Sequence, residues 1–278
     1  MKIIIPMAGT GDRFIKKGYK DPKPLIYVNN KRIIEYICDM FSKNDEIIFI
    51  CNENHLQTTN MRNILYNLVP GCKVFSVPNH KRGPVYTVVR ANIYEYILDD
   101  EEVIICYCDN PYLWNYNNFK NWVKEKNSDG CILSHVGMHP HRLGQTLMAH
   151  IKEDNLNVLE IKEKAHYTDN VINEQASTGT YYFKKGFYIK KYFQQLMDKN
   201  INYNGEYYVT LVYNLLIKDG LSVTAYPTDF VTVFGTPEEV QNFESWQILL
   251  SNTQIKNEND LISCYNYWKA YNNAVRNT

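Results

Sequence analysis

A chain of 278 residues has room for one large domain or two small ones, and 45% hydrophobic with 22% charged residues exclude a disordered tail and a fibrous rod. Its 30 Lys+Arg balance 30 Asp+Glu with no long block of one sign. This argues against an extended nucleic-acid or membrane-surface footprint but leaves room for a local cluster around a small anion.

The opening stretch Met1 to Gly9 carries too short an apolar run for a secretory segment, and no run elsewhere approaches the roughly 18 residues that span a bilayer, so a cytoplasmic location is expected. Seven cysteines, odd in number and without CxxC spacing, read as small buried hydrophobes rather than a disulfide or zinc framework. The 23 tyrosines by themselves say little about chemistry.

In chain order, a buried strand is expected at 2–6, then a loop to about 30 and an amphipathic helix carrying Ile33, Ile34, Ile37, Met40 and Phe41. A strand at 46–51, a helix at 56–68, a strand at 72–77, a helix at 85–97 and a strand at 103–108 follow. Such alternation builds a parallel sheet whose ligand sits beyond the carboxyl ends of the strands. From about 129 the pattern is mixed, with strands at 130–136, 146–152, 158–162 and 177–183 lying close together. Helices at 185–197 and 206–219, a strand at 222–226 and a helical stretch from Pro237 complete the chain. The expected class is α/β: a Rossmann-like doubly wound mixed sheet with an inserted subdomain and a C-terminal helical tail.

The first strand runs into Ala8-Gly9-Thr10-Gly11-Asp12-Arg13-Phe14, a glycine-rich turn that lets backbone N–H groups approach phosphate. A dinucleotide fingerprint would place Gly or Ala where Phe14 stands and start a helix at once, whereas Gly18, Pro22 and Pro24 predict irregular backbone. That disfavours a nicotinamide-dependent oxidoreductase, and no P-loop Gly-Lys-Ser/Thr is present. Positive charge is the loop's other feature. Arg13 offers a bidentate guanidinium, and Lys23, restrained between two prolines, offers a point charge suited to one phosphoryl group.

Segment 6–14, together with Gly18-Tyr19-Lys20-Asp21-Pro22-Lys23-Pro24-Leu25-Ile26, resembles the signature of the sugar-phosphate nucleotidyltransferase superfamily. Members of that superfamily join an NTP to a phosphorylated acceptor and release pyrophosphate. The similarity continues through Gly83-Pro84, Asp109, Glu163-Lys164, the Ser177 to Phe183 segment, Gly205-Glu206 and Gly235-Thr236-Pro237, covering roughly 1–243. It implies a nucleotidyltransferase domain over 1–243, with a nucleotide half at about 1–128 and an acceptor half at about 129–243, followed by a helical extension at 244–278.

The resemblance further implies Mg²⁺ as cofactor, held by Asp109, which the expected 103–108 strand delivers to the sheet edge. Arg13 and Lys23 become the catalytic cations, and Ala8, Gly9, Thr10, Gly11, Gly83 and Asp109 the nucleotide contacts. Glu163, Lys164, Gly179 and Glu206 become the acceptor contacts. The family's usual second metal ligand stands two residues before the late glycine, where this chain has Val233, which cannot coordinate; Asp229 and Thr232 are nearby candidates.

The 163–183 run is similar to a capsule-biosynthesis branch, some relatives of which use CTP and a non-sugar phosphate such as phosphocholine or an amino-acid phosphate. The acceptor is therefore a sugar 1-phosphate or such a compound. A non-catalytic nucleotide-sugar-binding regulator is the alternative from another class. The loop holding His139, His141 and Arg142 lacks a third zinc ligand and reads as a surface or acceptor-side loop. Small-molecule substrates are the expected partners, without nucleic acid or membrane; a homo-oligomer is compatible with the sequence.

Overall fold

The computed structural model describes residues 1–137, 139 and 148–252, the last seven by backbone alone. Parallel strands β1 (Lys2–Met7), β4 (Glu46–Asn52), β5 (Lys73–Val77) and β6 (Val103–Cys106) form one half of a nine-stranded sheet. The other half contains β7 (Gly130–His135), β8 (His150–Asp154), β9 (Asn157–Lys162), β10 (Gln175–Phe183) and β11 (Val223–Pro227). Their order is β5-β4-β1-β6-β10-β7-β11-β9-β8. Long β10 runs antiparallel between β6 and β7, pairing Tyr182 with Ile104 on one side and with Cys131 on the other, and its first residues also reach β8. The strands of the later half thus extend the same sheet. A two-stranded hairpin, β2 (Tyr27–Val28) and β3 (Lys31–Arg32), stands apart.

Side chains two apart along a strand share a face, so the continuous apolar run of β1 feeds two cores. Ile4 joins one with Ile48, Ile50, Ile105 and Phe183, covered by α5 (Gly83–Ala91), α7 (Gly186–Asp198) and α8 (Val209–Lys218). Ile3 and Ile5 join the other with Phe49, Ile104 and Tyr182, covered by α2 (Ile33–Cys38), α4 (Met61–Leu68) and α6 (Tyr116–Lys126). A third, smaller cluster gathers Phe14, Ile26, Val28, Ile33, Phe234 and Val240. It ties α1 (Asp12–Lys16) to the hairpin and to α9 (Pro237–Asn252). Among the described residues no helix is long and apolar enough to cross a membrane.

The strands lie near where the pattern predicts, except that the strand expected at 146–152 is displaced to His150–Asp154, with 146–147 outside the described residues; several helices differ. Where irregular backbone is expected after Gly11, helix α1 forms: Gly11 adopts a left-handed conformation (φ 70°), its carbonyl accepts from Phe14 and Ile15, and Phe14 is buried. The single helix expected at 56–68 is two, α3 (Glu53–Thr58) and α4. At the break Thr59 is extended; its hydroxyl donates to the His55 carbonyl and accepts from the Met61 N–H. The 85–97 helix ends at Asn92, which caps α5 in the left-handed region. Helix α6 fills the stretch between the expected strands at 103–108 and 130–136. Asn115 caps it, and full burial of Phe119 contributes about 1.5–3 kcal/mol, which outweighs the weak helix propensity of its asparagines.

Candidate active site

Two adjoining clefts open over the carboxyl ends of the central strands. The larger, about 430 Å³, is lined by the β1 turn from Met7 to Phe14, by Lys23, by the start of α5 and by Asp109. All the expected nucleotide contacts, Ala8, Gly9, Thr10, Gly11, Gly83 and Asp109, face it together with both expected cations. The smaller, about 200 Å³, is lined by Glu163, Lys164 and Gly179, with Tyr107, Tyr181 and Asn110. Glu206, expected beside the acceptor, lines the larger cleft, where its carboxylate accepts a 2.6 Å hydrogen bond from the Tyr208 hydroxyl. Arg13, Tyr107, Asp109, Tyr208 and Gly235 line both clefts, so they mark the seam between them.

Local sequence explains each placement. Lys23 opens a short 3₁₀ turn after Pro22, with Pro24 inside it, and buried Leu25 anchors that turn in the core. The lysine ammonium consequently projects onto Asp109, with Nζ 2.6 Å from Oδ2. Burial disfavours the lysine's charge, yet the neighbouring Asp109 carboxylate more than offsets it, so the Lys23 pKa lies above its ordinary value. Arg13 is exposed and forms no salt bridge among the described residues. Asn52 fixes the first turn by donating to the Ala8 carbonyl and to Asn79.

Gly83 begins α5 at φ 83°, where an added Cβ would meet the Tyr207 backbone N and O at 2.7 Å. Only glycine permits the contact through which Val85 N–H reaches the Tyr207 carbonyl. His80 beside it contacts Thr87 through Nε2 and accepts from the Arg82 N–H through Nδ1. Burial, aided by Arg82, pulls its pKa below the ordinary imidazole value.

In the smaller cleft, Gly179 sits at φ 85° within the irregular stretch of β10 between Ser177 and Tyr181. Its carbonyl accepts from the Tyr107 N–H, and a Cβ there would press on Asn110 at 2.9 Å. Glu163, 8% exposed, accepts from the Thr210 hydroxyl. Burial pushes its pKa up to about 7 against the opposing pull of Thr210 and Lys164, with nearby Glu206 adding to the rise. Lys164 adopts a left-handed backbone, φ 51°, and its ammonium lies 4.6 Å from the Tyr208 ring centre while donating to that tyrosine's hydroxyl.

The seam also contains a group the sequence reading passed over. Segment 109–111 runs alongside 232–234, with Phe234 N–H donating to the Asp109 carbonyl and Thr232 N–H to that of Pro111. This pairing brings Gly235 and the first turn of α9 to Asp109. A Cβ on Gly235 would lie 3.2 Å from Glu239 Oε2, 3.7 Å from Asp109 Oδ2 and 3.7 Å from Val233 Cγ1. Burial, with Asp109 as a like charge nearby, holds the Glu239 carboxyl above its usual range. The signal available in sequence, Glu three residues after Thr236, reads as a helix cap, which it also is: Glu239 N–H donates to the Thr236 hydroxyl. Among the described residues no group of three metal-ligating side chains converges. His139 is described and stacks edge-on with His135, whereas His141 and Arg142 lie outside the described residues, as do the side chain of Trp246 and everything after 252.

Comparison with known proteins agrees with this architecture. The chain is 26% identical over 255 residues to the bifunctional protein GlmU of Staphylococcus epidermidis, covering 88% of this chain and 52% of that protein. It therefore spans about half the length of the curated relatives it matches. Among solved structures, a nucleoside-diphosphate-sugar pyrophosphorylase from Vibrio cholerae superposes with a TM-score of 0.71 at 21% identity, covering 87% of this chain and 99% of that one. The inositol-1-phosphate CTP transferase of T. maritima does so with a TM-score of 0.65 at 14% identity, covering 88% and 94%. The model of the MobA-like NTP transferase domain matches residues 3–164, from the first strand through Lys164 and more than half of the sequence, and the chain belongs to that family.

Proposed function

We propose that the protein is a Mg²⁺-dependent nucleotidyltransferase that joins the NMP of an NTP to a phosphorylated acceptor, a sugar 1-phosphate, with release of pyrophosphate. The observation that carries this reading is the seam: Arg13 and Asp109 face both clefts, and Lys23 bonds to Asp109 there. A nucleotide in the larger cleft and a phosphate ester in the smaller one meet at those charges.

In this reading the backbone of Ala8, Gly9 and Gly83 seats the base, Thr10 and Gly11 border the triphosphate, and Arg13 grips the β- and γ-phosphates. An acceptor phosphate oxygen attacks the α-phosphorus as the bond to the β-phosphate bridging oxygen breaks, and pyrophosphate leaves from the opposite side. Lys23 exchanges Asp109 for the α-phosphoryl oxygens and stabilises the charge that grows on them. Glu163 accepts from an acceptor hydroxyl or amine, Gly179 lets backbone approach the acceptor, and Lys164 meets its phosphate. Glu206 holds Tyr208, and through it Lys164.

Asp109 suits the metal: its carboxylate borders the open space over Gly235, and hard oxygen ligands beside a phosphate are what Mg²⁺ takes. Bound there, the ion neutralises charge on the phosphate oxygens. The product would be an activated precursor for capsule or glycan synthesis. A cytoplasmic location suits the six described cysteines, all free thiols.

A second acceptor class is favoured by a specific observation. Tyr107, Tyr181 and Tyr208 wall the smaller cleft beside Glu163, and rings with a carboxylate suit a cationic headgroup better than a ring of sugar hydroxyls. CTP with phosphocholine or an amino-acid phosphate is that alternative, and an inositol-1-phosphate CTP transferase shares the fold. A grid of the four NTPs plus dTTP against sugar 1-phosphates and small non-sugar phosphates, read by pyrophosphate release with and without Mg²⁺, tests both. Release with one pair identifies the substrates; nucleotide-sugar binding without release from any pair makes the protein a non-catalytic regulator.

A further inference from the structure

We infer that Glu239, on the first turn of α9, supplies the second protein carboxylate of the metal site, in place of the ligand that Val233 cannot provide. This rests on the reading that a metal sits at Asp109. Three observations converge on it. Glu239 Oε2 and Asp109 Oδ2 lie 3.2 and 3.7 Å from one point over Gly235, a space kept open because residue 235 has no side chain. Glu239 Oε2 is buried without a hydrogen-bond partner, although the residue's own N–H donates to the Thr236 hydroxyl at the helix start. Finally, α9 is held rigidly at this spot: Phe234 and Val240 lock it into the cluster around Phe14, and Phe234 packs edge-on against Phe243 at 5.1 Å.

A helix cap alone needs only one carboxylate oxygen. An idle second oxygen, buried beside another carboxylate, is costly unless a cation joins them. Lys23 pairs with Asp109 Oδ2 and, among the described residues, forms no ion pair with Glu239, so it covers one of the two acids. A divalent ion over Gly235 would cover both, and would free Lys23 for the substrate phosphate.

The test is a Mn²⁺ titration of the full chain, following the free-ion electron paramagnetic resonance signal, so that no turnover is needed. Glu239→Gln keeps a residue that can cap, and is expected to weaken Mn²⁺ binding by about 10–100-fold, as loss of groups supporting a metal site does, without moving the thermal midpoint. Asp109→Asn should weaken it at least as much. Val233 Cγ1 is 3.7 Å from the same point, so Val233→Asp in the Glu239→Gln background should restore binding. Exposed Glu238, paired with Lys17, is the charge control. Unchanged affinity in Glu239→Gln with Asp109→Asn impaired overturns the inference and leaves the metal reading standing. An equal loss in Glu238→Gln reduces the effect to net charge and also overturns it. A wild-type protein that takes up no Mn²⁺ overturns both the inference and the metal reading.

Discussion

Around β1, the cleft is shaped by turns: the Met7 to Phe14 loop, the Lys23 turn between its prolines and the Gly83 start of α5 each belong to a few consecutive residues. Around β10, the smaller cleft is assembled from side chains far apart in sequence, with Tyr107, Glu163, Tyr181 and Tyr208 arriving from four different segments. Short-range turns constrain a phosphate-sized ligand through backbone and fixed charge, and the constraint survives drift of neighbouring side chains. A pocket of dispersed side chains changes its preference with each substitution. The difference teaches where this chain should tolerate change, and each half can be challenged separately.

The largest expected effect is on the turn-built side. Lys23→Ala should lower turnover by about 10²–10³-fold, about 2.7–4 kcal/mol, with circular dichroism unchanged, because a charge aimed at the transition state is lost. Full turnover in that variant would break the comparison at its centre. On the dispersed side, Glu163 gives a pH signature. Its pKa, raised from 4.5 to about 7 by burial, means that the folded protein holds a proton the unfolded chain has released. Stability from this group is complete below pH 4.5 and is lost as pH rises through 7, by no more than about 3 kcal/mol. Urea unfolding across that window should show Glu163→Gln flattening the slope; an unaltered slope would mean that the carboxyl is solvated.

Gly83→Ala comes next. The added methyl would meet Tyr207 backbone at 2.7 Å, so a loss of about 1–3 kcal/mol in unfolding free energy and a higher KM for nucleotide are expected. Tyr208→Phe is the mildest. It removes the hydroxyl between Lys164 and Glu206, and should cost about 0.5–1.5 kcal/mol, seen as a raised KM for the acceptor with that for nucleotide unchanged. If the nucleotide KM rose instead, Tyr208 would belong with the turn-built cleft that it also borders.

The same contrast governs what could be read before the fold was known. Asp109 and the glycine turn are legible because they stand within a few residues of a strand end, where the topology of parallel sheets places ligands, whereas Lys23, well beyond the end of β1, is legible from the two prolines that flank it. The strands themselves were legible from unbroken apolar runs such as β1. Helix breaks are not: apolar residues stand on both sides of Thr59, and only the hydroxyl's local bonding reveals the interruption. Tyr107, Tyr181 and Tyr208 do not stand out among 23 tyrosines, because nothing local marks three of them as neighbours. Glu239 was hidden for a different reason, since a glutamate at that helix position has a sufficient structural duty already.

The antiparallel seat of β10 between β6 and β7 bears on how such a protein can diversify. Severing the polypeptide near residue 128 would leave β6 with a bare edge, since the strand that zips it belongs to the later fragment. Grafting a foreign module in place of the residues after 128 would meet the same obstacle. New preferences in the smaller cleft must therefore arise by substitution inside an intact sheet, one wall of the pocket at a time.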